Sequence, residues 1–195
     1  MREVFERGFK SWCERVALKQ RSDLRLQAWD ALDALRLASH LGVIVWTADQ
    51  VPGLAPSSLA ILTQNDSDSW SAVTLRNGAR DLIILNPSHA KSRQASDVMH
   101  ELAHIILGHE PARVDVSEDG LLILNSYGKQ QEEEAKWLSG CLLLPREALL
   151  LIRRRRISQE AAASIYGVSV PMLTYRQNVL NLRGGLRRRP IITKH

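Results

Sequence analysis

The sequence predicts an α+β fold, mostly helical, with a small mixed sheet and a helix-turn-helix-like C-terminal end. Three observations carry this reading. Long segments toward both ends space their apolar residues three and four apart. Two short β-rich runs flank an Asn-Gly turn near the middle. Between these regions lies a helix that is apolar on almost every side, which implies a central, buried element.

The bulk properties narrow the classes. A chain of 195 residues suits one domain with a substantial core, or one domain and a small appendage. Hydrophobic residues make up 45%, enough to exclude a disordered chain. No apolar run approaches the roughly 20 residues of a membrane span. The start, MREVFERGFKSWCERV, is charged and has no apolar signal core. The expectation is a cytoplasmic protein with no membrane partner. Cys13 and Cys141 are far apart and form no CxxC pair, so they read as two buried thiols in a reducing compartment. The net charge of +5 is uneven, with basic runs at Arg153 to Arg156 and Arg187 to Arg189. Such an end reads first as a solvated face and second as a surface for nucleic acid or acidic protein.

The elements follow in order. REVFERGFKSWCERVALKQR has helical spacing at Val4, Phe5, Phe9, Trp12 and Val16. SDLRLQAWDALDALRLASHLG continues it at Leu26, Trp29, Leu32 and Leu35, with Gly42 as the stop. Val43 to Ala48 reads as a strand, and VPGLAPSS as a loop punctuated by Pro52, Gly53 and Pro56. Trp70 to Arg76 and Leu82 to Asn86 read as a hairpin turned at Asn77-Gly78. Ser92 to Gly108 is the central helix. After a polar segment, LLILNS reads as a short strand. Gln130 to Pro145 is helical and stops at the proline. The end is helix, turn, helix: Ser158 caps the first, Gly167 lies in the turn, Ser169 caps the second and Pro171 sits in its first turn.

The central helix carries VMHELAHIILGHE, in which His100, Glu101 and His104 form H-E-x-x-H. Helix positions four apart differ by about 40° around the axis, so both imidazoles face one way. Two such rings can share a zinc ion at Zn–N distances of about 2.0–2.1 Å. Glu101 lies about 100° round from His100, placed to reach a water rather than to compete as a ligand. Random placement in a chain of this composition gives roughly 0.01 such matches. A plain buried helix would have to find a separate partner for each of these polar groups. A shared metal satisfies both histidines at once.

The third ligand separates the classes of such sites. The pattern HExxHxxGxxH fails, because Leu107 and Glu110 stand where Gly and His belong. His109 falls one residue short and reads as a polar residue at the helix end. A glutamate from a later helix is the other solution, and EEEAKWLSGCLLLP offers Glu132, Glu133 and Glu134. With Ala135, Leu138, Ser139 and Leu142 inward, Glu133 points away while Glu132 and Glu134 sit at the edges of the buried face. Periodicity leaves Glu132 and Glu134 both open.

HELAHIILGH followed by EEEAKWLSGCLLLP resembles the ImmA/IrrE family of HExxH metallopeptidases, whose second motif is roughly E-x-E-A-N-x-F-A-x-x-L-L-M-P. Glu132, Glu134, Ala135, Leu142, Leu143 and Pro145 match it. ILNPSHAKSRQASDVMHELAH is similar to the family's lead-in, YGVSVPMLTYRQN to its helical end, and RGFKSWCE to its start, so the likeness covers most of the chain. It implies a zincin-like, gluzincin-type domain over 1–150 and a C-terminal helical subdomain with a basic tail over 151–195. Carried over by motif, Glu132 is the third metal ligand. The chain departs from the pattern at Lys136, where Asn or Asp is usual, and at Leu138-Ser139, where Phe-Ala is usual.

The resemblance implies a zinc-dependent endopeptidase that cleaves a regulatory protein, often a helix-turn-helix repressor. His100, His104 and Glu132 would hold Zn2+, Glu101 would be the general base, and Tyr127 and Tyr175 are candidate oxyanion stabilisers. The hairpin could offer an edge strand to an extended substrate. Two alternatives omit proteolysis: a DNA-binding regulator built on Ser158 to Leu180 and its flanking arginines, and a metal-sensing regulator. Nucleic-acid contact is not favoured, because SVPMLTYRQNVLNL looks mostly amphipathic and leaves few side chains to read bases.

Overall fold

The computed structural model describes residues 5–53, 56–60, 63, 70–77, 80–110, 113–116 and 122–181. The turn of the hairpin at 78–79 and the basic run Arg187 to Arg189 lie outside these. Among the described residues there are eight α-helices and a five-stranded mixed sheet. The expected α+β class, with its small mixed sheet, holds.

α1 spans Phe9–Asp23. The next predicted helix starts late, as α2 over Ala34–His40. Two local devices interrupt it. Arg25 takes a left-handed φ of 57°, which a helix interior does not tolerate. Asp33 then caps a new start by accepting from the Arg36 N–H at 2.7 Å. The helical spacing across Leu26 and Trp29 is therefore a coincidence of the loop, and Trp29 and Leu35 are exposed. β1 is Ile44–Thr47, as expected. The stretch read as loop ends in a short α3, Pro56–Ala60, with proline at its first position.

β2 (Ala72–Asn77) and β3 (Arg80–Leu85) form the expected antiparallel hairpin. Their neighbours were not all foreseen. β1 pairs in parallel with β3, and β5 (Leu122–Ser126) pairs antiparallel with β2. β4 (Arg113–Val116), from the segment read only as polar, pairs with β5. The strand order β1-β3-β2-β5-β4 puts the hairpin inside the sheet. Its strands are thus interior, so the hairpin itself, contrary to the expectation from sequence, offers no edge to a substrate. β1 and β4 are the edges.

α4 (Lys91–Leu107) lies against β2 and β3 and packs on α2 and on α5 (Lys129–Leu143). Its inner face, Val98, Met99, Leu102 and Ala103, is fully buried, whereas Ile105, Ile106 and Leu107 are only partly so. α5 buries Ala135, Leu138, Ser139 and Leu142, the face that periodicity selects. It ends at Leu143, and Pro145 precedes α6 (Arg146–Arg155), a helix the sequence reading left unassigned. α7 (Gln159–Tyr166) and α8 (Val170–Val179) follow. Ser158 accepts from Ala161 N–H at 3.1 Å and Ser169 from Met172 N–H at 3.3 Å. Gly167 joins the two helices at a left-handed φ of 62°.

One core runs through all of this, from Ala17 and Leu37 to Leu149, Ile152 and Leu173. Each fully buried leucine contributes about 1.5–3 kcal/mol. Cys13 and Cys141 are free and buried within it, as expected. Two buried arginines bind the helices together. Arg21 donates to the carbonyls of Asp30 and Leu142 at 2.9 and 2.8 Å, and burial lowers its pKa to about 10. Arg176 of α8 donates to Glu14 of α1 at 2.9 Å and to the Leu144 carbonyl at 3.1 Å. Glu14 also accepts from the Arg146 N–H at 2.9 Å. Gly140 makes room for this knot: a Cβ there would stand 2.9 Å from Cδ of Arg176.

Candidate metal centre

Two helices build the site. α4 presents His100 and His104 one turn apart, and α5 presents Glu132 from its first turn. His100 Nε2 lies 3.1 Å from His104 Nε2. Glu132 places Oε2 3.2 Å from His100 Nε2 and Oε1 3.7 Å from His104 Nε2. Three donors around one tetrahedral ion with bonds of about 2.0–2.1 Å would stand about 3.3 Å apart. The observed separations bracket that value, so these residues fit a divalent ion. The donor set, two imidazoles and a carboxylate, suits zinc and also accepts other divalent metals.

The protein environment prepares these groups. His104 is almost wholly buried, and its pKa is lowered to about 3 by that burial first, then by His100 and His109. A neutral imidazole keeps a lone pair to offer. Tyr127 stacks on the His104 ring, with centroids 3.6 Å apart and planes 18° from parallel. Glu101 turns from its neighbours toward β2, where the buried Thr74 hydroxyl donates to its Oε2 at 2.5 Å. Burial raises the Glu101 carboxyl above its usual range, while the Thr74 bond and His100 oppose the rise. Like charge from Glu132 adds to it.

The acidic triplet divides three ways. Glu132 meets both histidines, Glu133 meets Lys136 at 3.7 Å, and Glu134 meets His109 at 3.2 Å. Lys136, the departure from the family pattern, is exposed and pairs with Glu133, leaving Glu132 to the imidazoles. Tyr175, the other tyrosine singled out, stands half exposed on α8. Two functional candidates escaped the sequence reading. Thr74 sits in a strand with no local sign of its partner 27 residues on. His109 looked like a helix-end residue, but its Nδ1 lies 2.9 Å from Nδ1 of His104. Gly108 was the available signal. Its left-handed φ of 65° reverses the chain and carries His109 back over the helix end.

Fold and cluster together define a candidate divalent-metal centre held between two helices. The sequence model of the IrrE N-terminal-like domain, peptidase family M78, matches residues 59–178. That is more than half of the chain, and the protein belongs to this metallopeptidase family. Among solved structures the chain is similar to a Mycobacterium tuberculosis transcriptional regulator, at 14% identity and a TM-score of 0.48. The likeness covers 89% of this chain and 48% of that one, so the chain spans about half the regulator's length. No curated protein matches the sequence closely. Among the described residues, no helix is long and apolar enough to cross a membrane.

Proposed function

We propose that this protein is a zinc-dependent endopeptidase that cleaves a regulatory protein, a helix-turn-helix repressor being the favoured substrate. The observation that carries the proposal is the meeting of His100, His104 and Glu132 at 3.1–3.7 Å, with Glu101 held beside them by Thr74. His100, His104 and Glu132 are the metal ligands in this reading, with Glu132 preferred to Glu134 because Glu134 is engaged by His109. A zinc ion there would lower the pKa of water to about 7 and polarise the scissile carbonyl.

Glu101 is the general base. Its raised pKa suits a group that takes a proton from the attacking water and returns it to the leaving amine. Thr74 holds one carboxylate oxygen and leaves the other for that exchange. Tyr127 is preferred to Tyr175 as an oxyanion stabiliser, since its ring already lies on His104. The chain is read as a zincin-like domain over 1–150 with a helical part over 151–195 packed on it. The inward course of Leu173 and Arg176 supports that packing. It also weakens the DNA-binding alternative, because α8 spends an arginine on the core.

The test uses the protein with zinc and a purified helix-turn-helix repressor, with fragments read by mass spectrometry. Discrete cleavage that Glu101→Gln abolishes is the expected result. Repressor loss that needs His104 but survives Glu101→Gln would favour the metal-sensing alternative and end the peptidase reading.

A further inference from the structure

The histidine that the motif leaves over is not idle. His109 lies between His104 and Glu134, bonded on both ring nitrogens. Gln130 Nε2 donates to Glu134 Oε1 at 2.9 Å, and Glu134 Oε2 lies 3.2 Å from His109 Nε2. His109 Nδ1 then lies 2.9 Å from His104 Nδ1. The side chains of His104, His109 and Glu134 are 1%, 8% and 16% exposed, so water does not replace these contacts freely.

The order of donors follows from chemistry alone. A carboxylate only accepts, so His109 Nε2 must carry a hydrogen to bond Glu134. In a neutral imidazole the other nitrogen is then an acceptor. The hydrogen between the two rings must therefore sit on His104 Nδ1. That leaves His104 Nε2 with a bare lone pair, directed at His100 and Glu132. The opposite tautomer would bury two facing lone pairs at 2.9 Å between the rings and block Nε2 with a hydrogen.

We propose that Glu134 and His109 form a relay that selects the metal-competent tautomer of His104 before any metal arrives. They are positioning residues, acting on the site through His104. A ligating histidine ordinarily gives its second N–H to a carboxylate, carbonyl or water. Here a second imidazole is interposed, and Gly108 supplies the reversal that places it. This inference rests on the metal reading of His100, His104 and Glu132.

The experiment has two readouts besides activity. Nitrogen-15 NMR of the metal-free protein reports which His104 nitrogen carries the hydrogen, and competition with a chromophoric chelator gives the zinc Kd. The wild type is expected to show the Nδ1–H tautomer. His109→Phe, which keeps a ring but loses both hydrogen bonds, should lose that preference and weaken zinc by about 10–100-fold. His109→Gln can accept with its carbonyl and donate with its amide, so it should retain most of both. Glu134→Ala should resemble His109→Phe, and it carries the test if the phenylalanine variant does not fold. A merely steric role reverses the order, with phenylalanine tolerated and glutamine not, and that result overturns the relay. An Nε2–H tautomer in the wild type, or an unchanged Kd in both His109→Phe and Glu134→Ala, overturns it too. If the wild type binds no zinc through His100 and His104, the metal reading itself falls, and the relay with it.

Discussion

At the scale of single residues, burial and hydrogen bonding decide where protons sit. Thr74 donates to Glu101 and thereby opposes the upward shift that burial imposes on its carboxyl. Thr74→Val removes that donor, so the protonated form of Glu101 is favoured further. The expected outcome is a lower kcat and an acid limb of the pH–rate profile moved to higher pH. A profile that superimposes on the wild type would remove Thr74 from the mechanism. Glu101→Gln should lower kcat by about 10²–10⁴-fold while zinc uptake, measured by chelator competition, is kept. His104 makes a stability prediction. Its pKa is lowered to about 3 in the folded protein, from an ordinary 6.5. Between those values the unfolded chain binds a proton that the folded one refuses. Its contribution is therefore present above about pH 6.5 and is lost as the pH falls toward 3, by at most about 1.4 kcal/mol per pH unit. Urea midpoints of the metal-free protein should fall across that window, and His104→Gln should flatten the fall.

At the scale of elements, legibility depended on whether the deciding contact was local. α7 and α8 were readable because their caps, Ser158, Gly167 and Ser169, lie within the segment they delimit. α5 was readable because its apolar spacing at Ala135, Leu138 and Leu142 and the proline that follows it lie within one short window. α2 was misjudged because Arg25 and Asp33 override a helical spacing that continues across them. α6 was missed because its arginines read as a charge run, although Ala148, Leu149 and Ile152 line an inner face. β4 owes its existence to β5, a partner that a polar segment does not announce. The contact between α5 and α8 yields its own prediction. Gly140→Ala puts a Cβ 2.9 Å from Cδ of Arg176, whose guanidinium is fixed by Leu144 and Glu14. A loss of about 1–3 kcal/mol is expected, read as a lower urea midpoint with unchanged slope. A variant as stable as the wild type would mean that Arg176 can shift without cost.

At the scale of the whole molecule, the cluster of His100, His104 and Glu132 was more legible than the fold that brings it together. The spacing of His100, Glu101 and His104 requires only that the segment be helical, whereas the expectation of Glu132 over Glu134 came from the likeness to the family motif and not from periodicity. The contacts of His109 and Thr74 depend on a chain reversal and a strand-to-helix approach, which no short window contains. Chelation offers a global check. Removing zinc should lower the melting temperature, since an ion bound only by the folded chain stabilises it by mass action. His100→Ala should make the melting curve indifferent to chelator, and a His100→Ala protein still sensitive to it would place the ion elsewhere. The knot of Glu14 and Arg176 has a consequence in time rather than in space. The two residues are 162 positions apart, so during synthesis the first helix exists long before its partly buried carboxylate can meet its counter-charge. Contacts of such separation form late. Nascent chains halted before Arg176 should therefore leave α1 open to protease, and release of the completed chain should close both regions in a single step.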